Sequence, residues 1–337
     1  MHAAFDKSNG TESMTKTIRW GILGAGDVCE VKSGPAFQKA KNSELVAVMR
    51  RDSEKAADFA RRHGVKKWYD SVDDLLLDPE IDAIYIASPP RFHLEHCLAA
   101  LAAGKHVYLE KPMAMNSAQC GKIIEAEVKS PGSVVVAHYR RALPAFNRIG
   151  EIIKSGQIGE VRLAEVNFYL PEENTLIPDS GANWRLNPEI SGGGLFHDLS
   201  PHLLDLLLVY FGRPLRYDGF ASRLNQSAPA DDFVQGTILF ENNIIFRGCW
   251  CFSVAPCAVS ERLVITGNRG VVSAPFFGDE VRLCSDDEDT VIAFANPPNI
   301  QLPMVEAVTS YFLGQGECPC PPADGLQVME IIDSFTN

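Results

Sequence analysis

Between Thr17 and Ala137, short apolar runs alternate with amphipathic stretches of helical length. That alternation restricts the fold more than any composition figure. Strands that are apolar on both faces need helices on both sides, which means a parallel sheet assembled from strand–helix–strand units. The apolar runs are Thr17–Leu23 (TIRWGIL), Glu44–Met49, Lys66–Tyr69, Ala83–Ala87, His106–Leu109 and Ser133–Ala137. Helical patterns fill the intervals at Ser53–His63, Phe92–Ala103 and Ser117–Lys129, with Gly104 as a stop. Beyond residue 138 the pattern changes. Val161–Tyr169 alternates as an antiparallel strand would, and Leu195–Phe211 is one long helix. Thr237–Phe240, Ile244–Trp250, Arg262–Thr266 and Val271–Ser273 are further strands, and Gly325–Phe335 is a closing helix. The expected organisation is a polar tail over 1–16, an α/β domain over 17–137, an α+β domain with a large open, mostly antiparallel sheet over 138–324, and a terminal helix over 325–337.

Composition sets the outer limits. The 337 residues are 46% hydrophobic, enough for two packed cores. A formal net charge of −12 disfavours nucleic acid as a partner. The N-terminal segment MHAAFDKSNGTESMTK has no apolar core, so a signal peptide is not expected, and Met14 could serve as the start. No apolar run is long enough to span a membrane, and a cytoplasmic location follows by default. The 9 cysteines are odd in number and scattered, which predicts reduced, packed thiols and no disulfide framework. Cys249-x-Cys251 and Cys318-x-Cys320 have the wrong spacing for a zinc ribbon, and no metal site is expected.

The first strand runs into Gly24-Ala25-Gly26-Asp27-Val28-Cys29. Glycines at the first two positions permit a tight turn and close backbone approach to a pyrophosphate. The helix that follows aims its unpaired amides, those of Asp27 and Val28 first, at that phosphate. The third position is usually Gly or Ala and is here Cys29, which is still small. This is the phosphate loop of a Rossmann domain. At the end of the second strand, where an acidic residue commonly bonds the ribose of NAD, the chain has Arg50-Arg51. A guanidinium suits a 2′-phosphate, so NADP is favoured over NAD. The alternative leaves both arginines in solvent and gives the ribose to Asp52. Ser88 and Pro89, closing the fourth strand, and His93, on the next helix, are expected to face the same crevice. His96 is expected to be only exposed.

The fifth strand ends in Glu110-Lys111-Pro112. This sets Glu110 and Lys111 at the carboxyl edge of a parallel sheet, where such sheets bind ligands. Further on stands Gly192-Gly193-Gly194-Leu195-Phe196-His197-Asp198-Leu199-Ser200-Pro201-His202. Asp198 and His202 are one helical turn apart and share a face, and Asp205 continues that stripe. The glycine run is expected to let backbone pass close to the nicotinamide.

Together these pieces, with Tyr139-Arg140-Arg141 and Trp184-Arg185, resemble the glucose-fructose oxidoreductase, inositol dehydrogenase and rhizopine-catabolism family over about residues 17–335. The resemblance implies a soluble nicotinamide-dependent enzyme acting on sugars, polyols or related cyclic substrates. It implies that Lys111 meets the reacting hydroxyl and the nicotinamide ribose, that Asp198 positions substrate and that His202 exchanges the proton. Tyr139, Arg140, Trp184 and Arg185 join them around the substrate. It also implies a homodimer or homotetramer formed through the second sheet. The chemistry agrees, because a secondary alcohol losing hydride to a cofactor must lose a proton to a base that is neutral near pH 7. Two other readings keep the cofactor. One uses transient oxidation to assist elimination or glycoside cleavage, and would recycle the nicotinamide. The other is a non-catalytic NAD(P) sensor, which has no need of Lys111 or His202.

Overall fold

The computed structural model describes residues 16–172, 184–286 and 289–336. The expected tail, apart from Lys16, lies outside the described residues, as do residues 173–183. In chain order the first part comprises β1 (Ile18–Leu23), α1 (Asp27–Val31), α2 (Gly34–Lys39), β2 (Ser43–Met49), α3 (Ser53–His63), β3 (Lys67–Tyr69), α4 (Val72–Leu77), β4 (Ala83–Ile86), α5 (His93–Ala102), β5 (His106–Leu109), α6 (Ser117–Glu127) and β6 (Val134–Val136). The six strands are parallel in the order β3-β2-β1-β4-β5-β6. The order reverses between β1 and β4, and that switch point opens the crevice in which dinucleotides bind.

The strand chemistry explains the sheet. Every residue of β4 and β6 is buried, as a sheet covered on both faces requires. Trp20, Phe37, Tyr85 and Tyr108 interlock beneath the crevice, with the two tyrosine rings stacked 5.3 Å apart. Local signals close the helices. Asp52 accepts the Lys55 amide to cap α3 at 3.1 Å. Gly64 then ends that helix in a left-handed conformation at φ 65°.

The second part runs through α7 (Pro144–Lys154), β7 (Val161–Tyr169), α8 (Pro188–Ser191), α9 (Leu195–Phe211), β8 (Pro214–Ser222), β9 (Phe233–Phe240), β10 (Ile245–Cys251), β11 (Ser260–Gly267), β12 (Gly270–Pro275), β13 (Glu280–Ser285), β14 (Asp289–Ala293), α10 (Leu302–Phe312) and α11 (Pro322–Thr336). Eight strands form a sheet in the order β14-β13-β12-β11-β7-β10-β9-β8. All pairs are antiparallel except β7 with β10. The expectation that β7 is an antiparallel strand therefore holds only on its β11 side. Alternation reports that one face is buried and says nothing about the direction of the partner.

Along β7, Ala164, Val166 and Phe168 face inward beneath the helices, while Asn167 faces outward and is exposed. Helix α9 is buried almost all round, as its run of leucines demands. The closing helix begins at Pro322, earlier than expected, and packs on α6 of the first sheet as well as α9 and β8 of the second. It is a clasp between the two halves. A second tie is Arg141, whose guanidinium bonds Asp205 of α9 at 2.6 and 2.8 Å and Asp324 of α11 at 2.7 Å. Asp205 is fully buried, so the pair anchors α9 and is not part of a polar stripe open to ligand.

All the cysteines are free, but not all are packed. Cys29, Cys97, Cys120 and Cys320 are buried, whereas Cys257 and Cys284 lie on the surface, against the expectation of core packing.

Candidate active site

The β1 turn approaches the β4 loop so closely that only glycine fits at its first position. A Cβ on Gly24, at φ 87°, would stand 2.8 Å from the Ser88 amide nitrogen. The position of Gly26 is different. A Cβ there would meet nothing nearer than the Gly24 carbonyl at 3.8 Å, because it would point into an open cleft. Gly26 also precedes α1 without a side-chain cap, which leaves the first amides of that helix to a ligand.

The cleft has a volume of about 660 Å³ and is lined by Gly24, Gly26, Asp27, Val28, Arg50, Arg51, Ser88 and Pro89. Arg51 lies over the Phe92 ring at 5.6 Å, and among the described residues neither Arg50 nor Arg51 forms an ion pair. Asp52, the other candidate for the ribose, is engaged as the cap of α3. These residues fit a dinucleotide: an unguarded helix start for the pyrophosphate, and free guanidinium groups where the adenosine ribose would end.

Two histidines exchange the places expected for them. His93 is fully buried, with its ring nitrogens 2.7 Å from the Ser88 carbonyl and 2.8 Å from the Pro112 carbonyl. Burial brings its pKa down to about 4 against the pull of those two acceptors. It sits between the β4 loop and the β5 loop, where the neutral ring donates to one of these carbonyls, and it does not line the cleft. His96, one turn later, lines the cleft, stacks on Phe92 and approaches the Ser88 hydroxyl at 3.0 Å.

Past Asp27, Val28 and Ser88 the cleft leads to an inner cavity of about 160 Å³. Its walls include Glu110, Lys111, Tyr139, Arg140, Trp184, Arg185, Asp198 and His202, so residues far apart in sequence meet here. Lys111, at the end of β5, donates from Nζ to the Asp198 carboxylate at 2.8 Å and to the Asp198 carbonyl at 2.7 Å. Arg185 reaches the other carboxylate oxygen at 3.3 Å and lies 4.6 Å over the Trp184 ring. Burial alone would raise the Asp198 pKa, but Lys111 and Arg185 hold it below the usual carboxylate value.

Glu110 is spent on architecture. It accepts from the Tyr85 hydroxyl at 2.6 Å, from Gln301 at 2.9 Å and from the Lys111 amide at 3.0 Å, which fixes the backbone that carries Lys111. His202 is 5% exposed, edge-on to the Tyr139 ring at 4.8 Å, with no partner for Nδ1 among the described residues. Burial first, then the nearby Lys111 and Arg140 charges, press its pKa well below the ordinary histidine value. It is therefore neutral at pH 7 and able to accept a proton.

The glycine run has a neighbour other than the expected nicotinamide. A Cβ on Gly193 would lie 2.1 Å from the His197 ring, and one on Gly194 would lie 2.6 Å from Ala230. The run makes room for the buried His197 and shapes the start of α9, away from the inner cavity. The sequence reading also missed Lys32, Phe276, Phe277 and Gln301, all of which line that cavity. Only the adjacent phenylalanines between Pro275 and Gly278 give a local hint, since two large apolar residues in a turn are unusual.

A Rossmann crevice empties into a small pocket holding lysine, carboxylate and neutral imidazole, groups suited to oxidoreductase chemistry with a bound nucleotide. Comparison with known proteins gives the family. Residues 18–138 match the oxidoreductase family with NAD-binding Rossmann fold, and residues 146–273 match the GFO/IDH/MocA C-terminal domain. The chain belongs to the GFO/IDH/MocA oxidoreductase family. An oxidoreductase of Formosa agariphila is 41% identical over 322 residues, spanning 96% of this chain and 99% of that one. A 1,5-anhydro-D-fructose reductase of Ensifer adhaerens is 32% identical over 229 residues, 67% of each chain. A levoglucosan dehydrogenase solved with NADH and levoglucosan has the same fold at a TM-score of 0.80 and 21% identity, covering 95% of this chain and 96% of that one. Among the described residues no helix is long and apolar enough to cross a membrane.

Proposed function

We propose that the protein transfers hydride between NADP(H) and a hydroxyl or carbonyl of a sugar, polyol or related cyclic substrate. The observation that carries this reading is the Lys111–Asp198 bond of 2.8 Å, set at the edge of the parallel sheet where the cofactor cleft meets the inner cavity. A bound nicotinamide supplies the hydride acceptor or donor. The chain supplies the rest. Lys111, its ammonium oriented by Asp198, donates to the substrate oxygen and stabilises charge that develops there. His202 takes the proton when the alcohol is oxidised and returns it when the carbonyl is reduced. Tyr139, Trp184 and Arg185 enclose the ring and exclude water.

The free guanidinium groups of Arg50 and Arg51 support NADP. NADPH is expected to bind at least about tenfold more tightly than NADH, since charge-assisted bonds to a phosphate contribute on the order of 1.5–3 kcal/mol each. Titration of nicotinamide fluorescence measures this, and Arg51→Ala should bring the two affinities together. Tighter NADH binding in the parent protein would reverse the cofactor assignment and leave the oxidoreductase in place.

The outward face of the second sheet supports self-association. It carries Ile245 and Phe220, which are 45% and 52% exposed. Sedimentation at micromolar concentration should give a dimer or tetramer, and a monomer would refute this.

A further inference from the structure

Among the cations of the inner cavity, Arg140 stands apart. Lys111 and Arg185 share the Asp198 carboxylate, and Glu110 is engaged by Tyr85, Gln301 and the Lys111 amide. Arg140 is 6% exposed yet forms no ion pair among the described residues. Nη1 donates to the Phe276 carbonyl at 2.6 Å, and Nε has no partner. The guanidinium otherwise rests on aromatic faces, 4.0 Å from the centre of the Phe276 ring and 5.1 Å from that of Phe277. Glu261, whose charge also acts on Arg140, turns its carboxylate to the Phe277 amide at 2.9 Å.

A buried cation without a counter-ion is costly, and π faces offset only part of that cost. Nη1 is occupied, Nε is buried without a partner, and Nη2 has none among the described residues, so the guanidinium keeps N–H donors suited to an anion such as a carboxylate. Lys32, which also lines this cavity, adds positive charge to it. The cavity, about 160 Å³, suits a single small molecule, and Phe277, which is 38% exposed, is the aromatic wall open to a ring.

We propose that Arg140 is the specificity-determining cation of this cavity and that the substrate is a sugar or polyol bearing a carboxylate, of the aldonate or uronate class. This rests on the hydride-transfer reading above. Arg140 clamps the carboxylate while Lys111 and His202 address a hydroxyl elsewhere on the same molecule. The acid thereby supplies the missing counter-ion, and the neutral parent sugar leaves the guanidinium unpaired.

The test compares matched pairs with oxidised nicotinamide and the full-length protein: glucuronate with glucose, galacturonate with galactose, gluconate with glucitol. At least one acid is expected to exceed its neutral partner by about 100-fold or more in kcat/KM, as sites built to bond a polar group reject analogues that lack it. Arg140→Met should abolish that ratio, mainly through KM, and Arg140→Lys should restore part of it. Equal or better turnover of the neutral partners overturns the proposal, as does an acid preference that survives Arg140→Met. If no pair is turned over, thermal shift in the presence of NADPH decides: acid-specific stabilisation supports the proposal and its absence overturns it. Preference for glucose 6-phosphate over all the acids would assign the guanidinium to phosphate and overturn the carboxylate. Each of these results differs from a failure to bind nicotinamide, which would remove the hydride-transfer reading itself.

Discussion

Replacing Lys111 by methionine is expected to lower kcat by about a thousandfold while nicotinamide binding stays within a few-fold of the parent. A thousandfold loss corresponds to roughly 4 kcal/mol of transition-state stabilisation. The lysine ammonium is aimed by two acceptors on Asp198, and its own backbone is held by Glu110. A donor fixed in this way needs no reorganisation when charge builds on the substrate oxygen. Methionine keeps the length and apolar stem, so packing around β5 persists and the loss reports chemistry. Steady-state rates and fluorescence titration on the same preparation check it. A variant that retains more than a tenth of parental kcat would remove Lys111 from the reacting atoms.

The second large effect belongs to His202. His202→Asn should lower kcat by about 100- to 1000-fold, within the range of a lost general base or acid. The sign of its pH dependence follows from burial. The folded protein holds the imidazole pKa well below the ordinary value, through burial first and then through Lys111 and Arg140. The neutral ring needed for oxidation is therefore already present at pH 7. It disappears only as pH falls through the depressed pKa. The kcat/KM of alcohol oxidation should stay level downward from pH 8, with its acid midpoint below the unperturbed ~6.5. Carbonyl reduction needs the protonated ring, so its rate should rise as pH falls over the same interval. The acid limb should vanish in His202→Asn. A midpoint at or above the unperturbed value in the parent protein would contradict the buried, neutral base.

The sequence announced some parts of this site because their geometry is local. A glycine directly after an apolar strand marks Gly24, and the structure adds the reason, the 2.8 Å gap to Ser88. Lys111 is legible because a strand–helix repeat tells which end of the sheet the residue occupies. Asp198 and His202 are legible because helical periodicity alone puts them on one face. His93 and His96 were harder. Both sit on α5, three residues apart, and rotation of that helix against β4 and the Pro112 loop decides which enters the cleft. The glycine run misled for a similar reason: its crowding neighbour, His197, lies only a few residues on, but the turn that folds it back is visible only in three dimensions.

By itself the chain determined the parallel sheet, the phosphate turn, and the lysine, aspartate and histidine that meet at its edge. These are encoded in periodicities of two and 3.6 residues and in glycine's backbone freedom, all of which act over a few neighbours. Tertiary structure alone decided that β7 pairs parallel with β10, that Asp205 is an anchor for Arg141, and that Phe276 and Phe277 close over Arg140. Those contacts join residues tens to more than a hundred positions apart. They are selected by which apolar surfaces and buried charges can be satisfied together, a property of the packed whole that no window of the sequence contains.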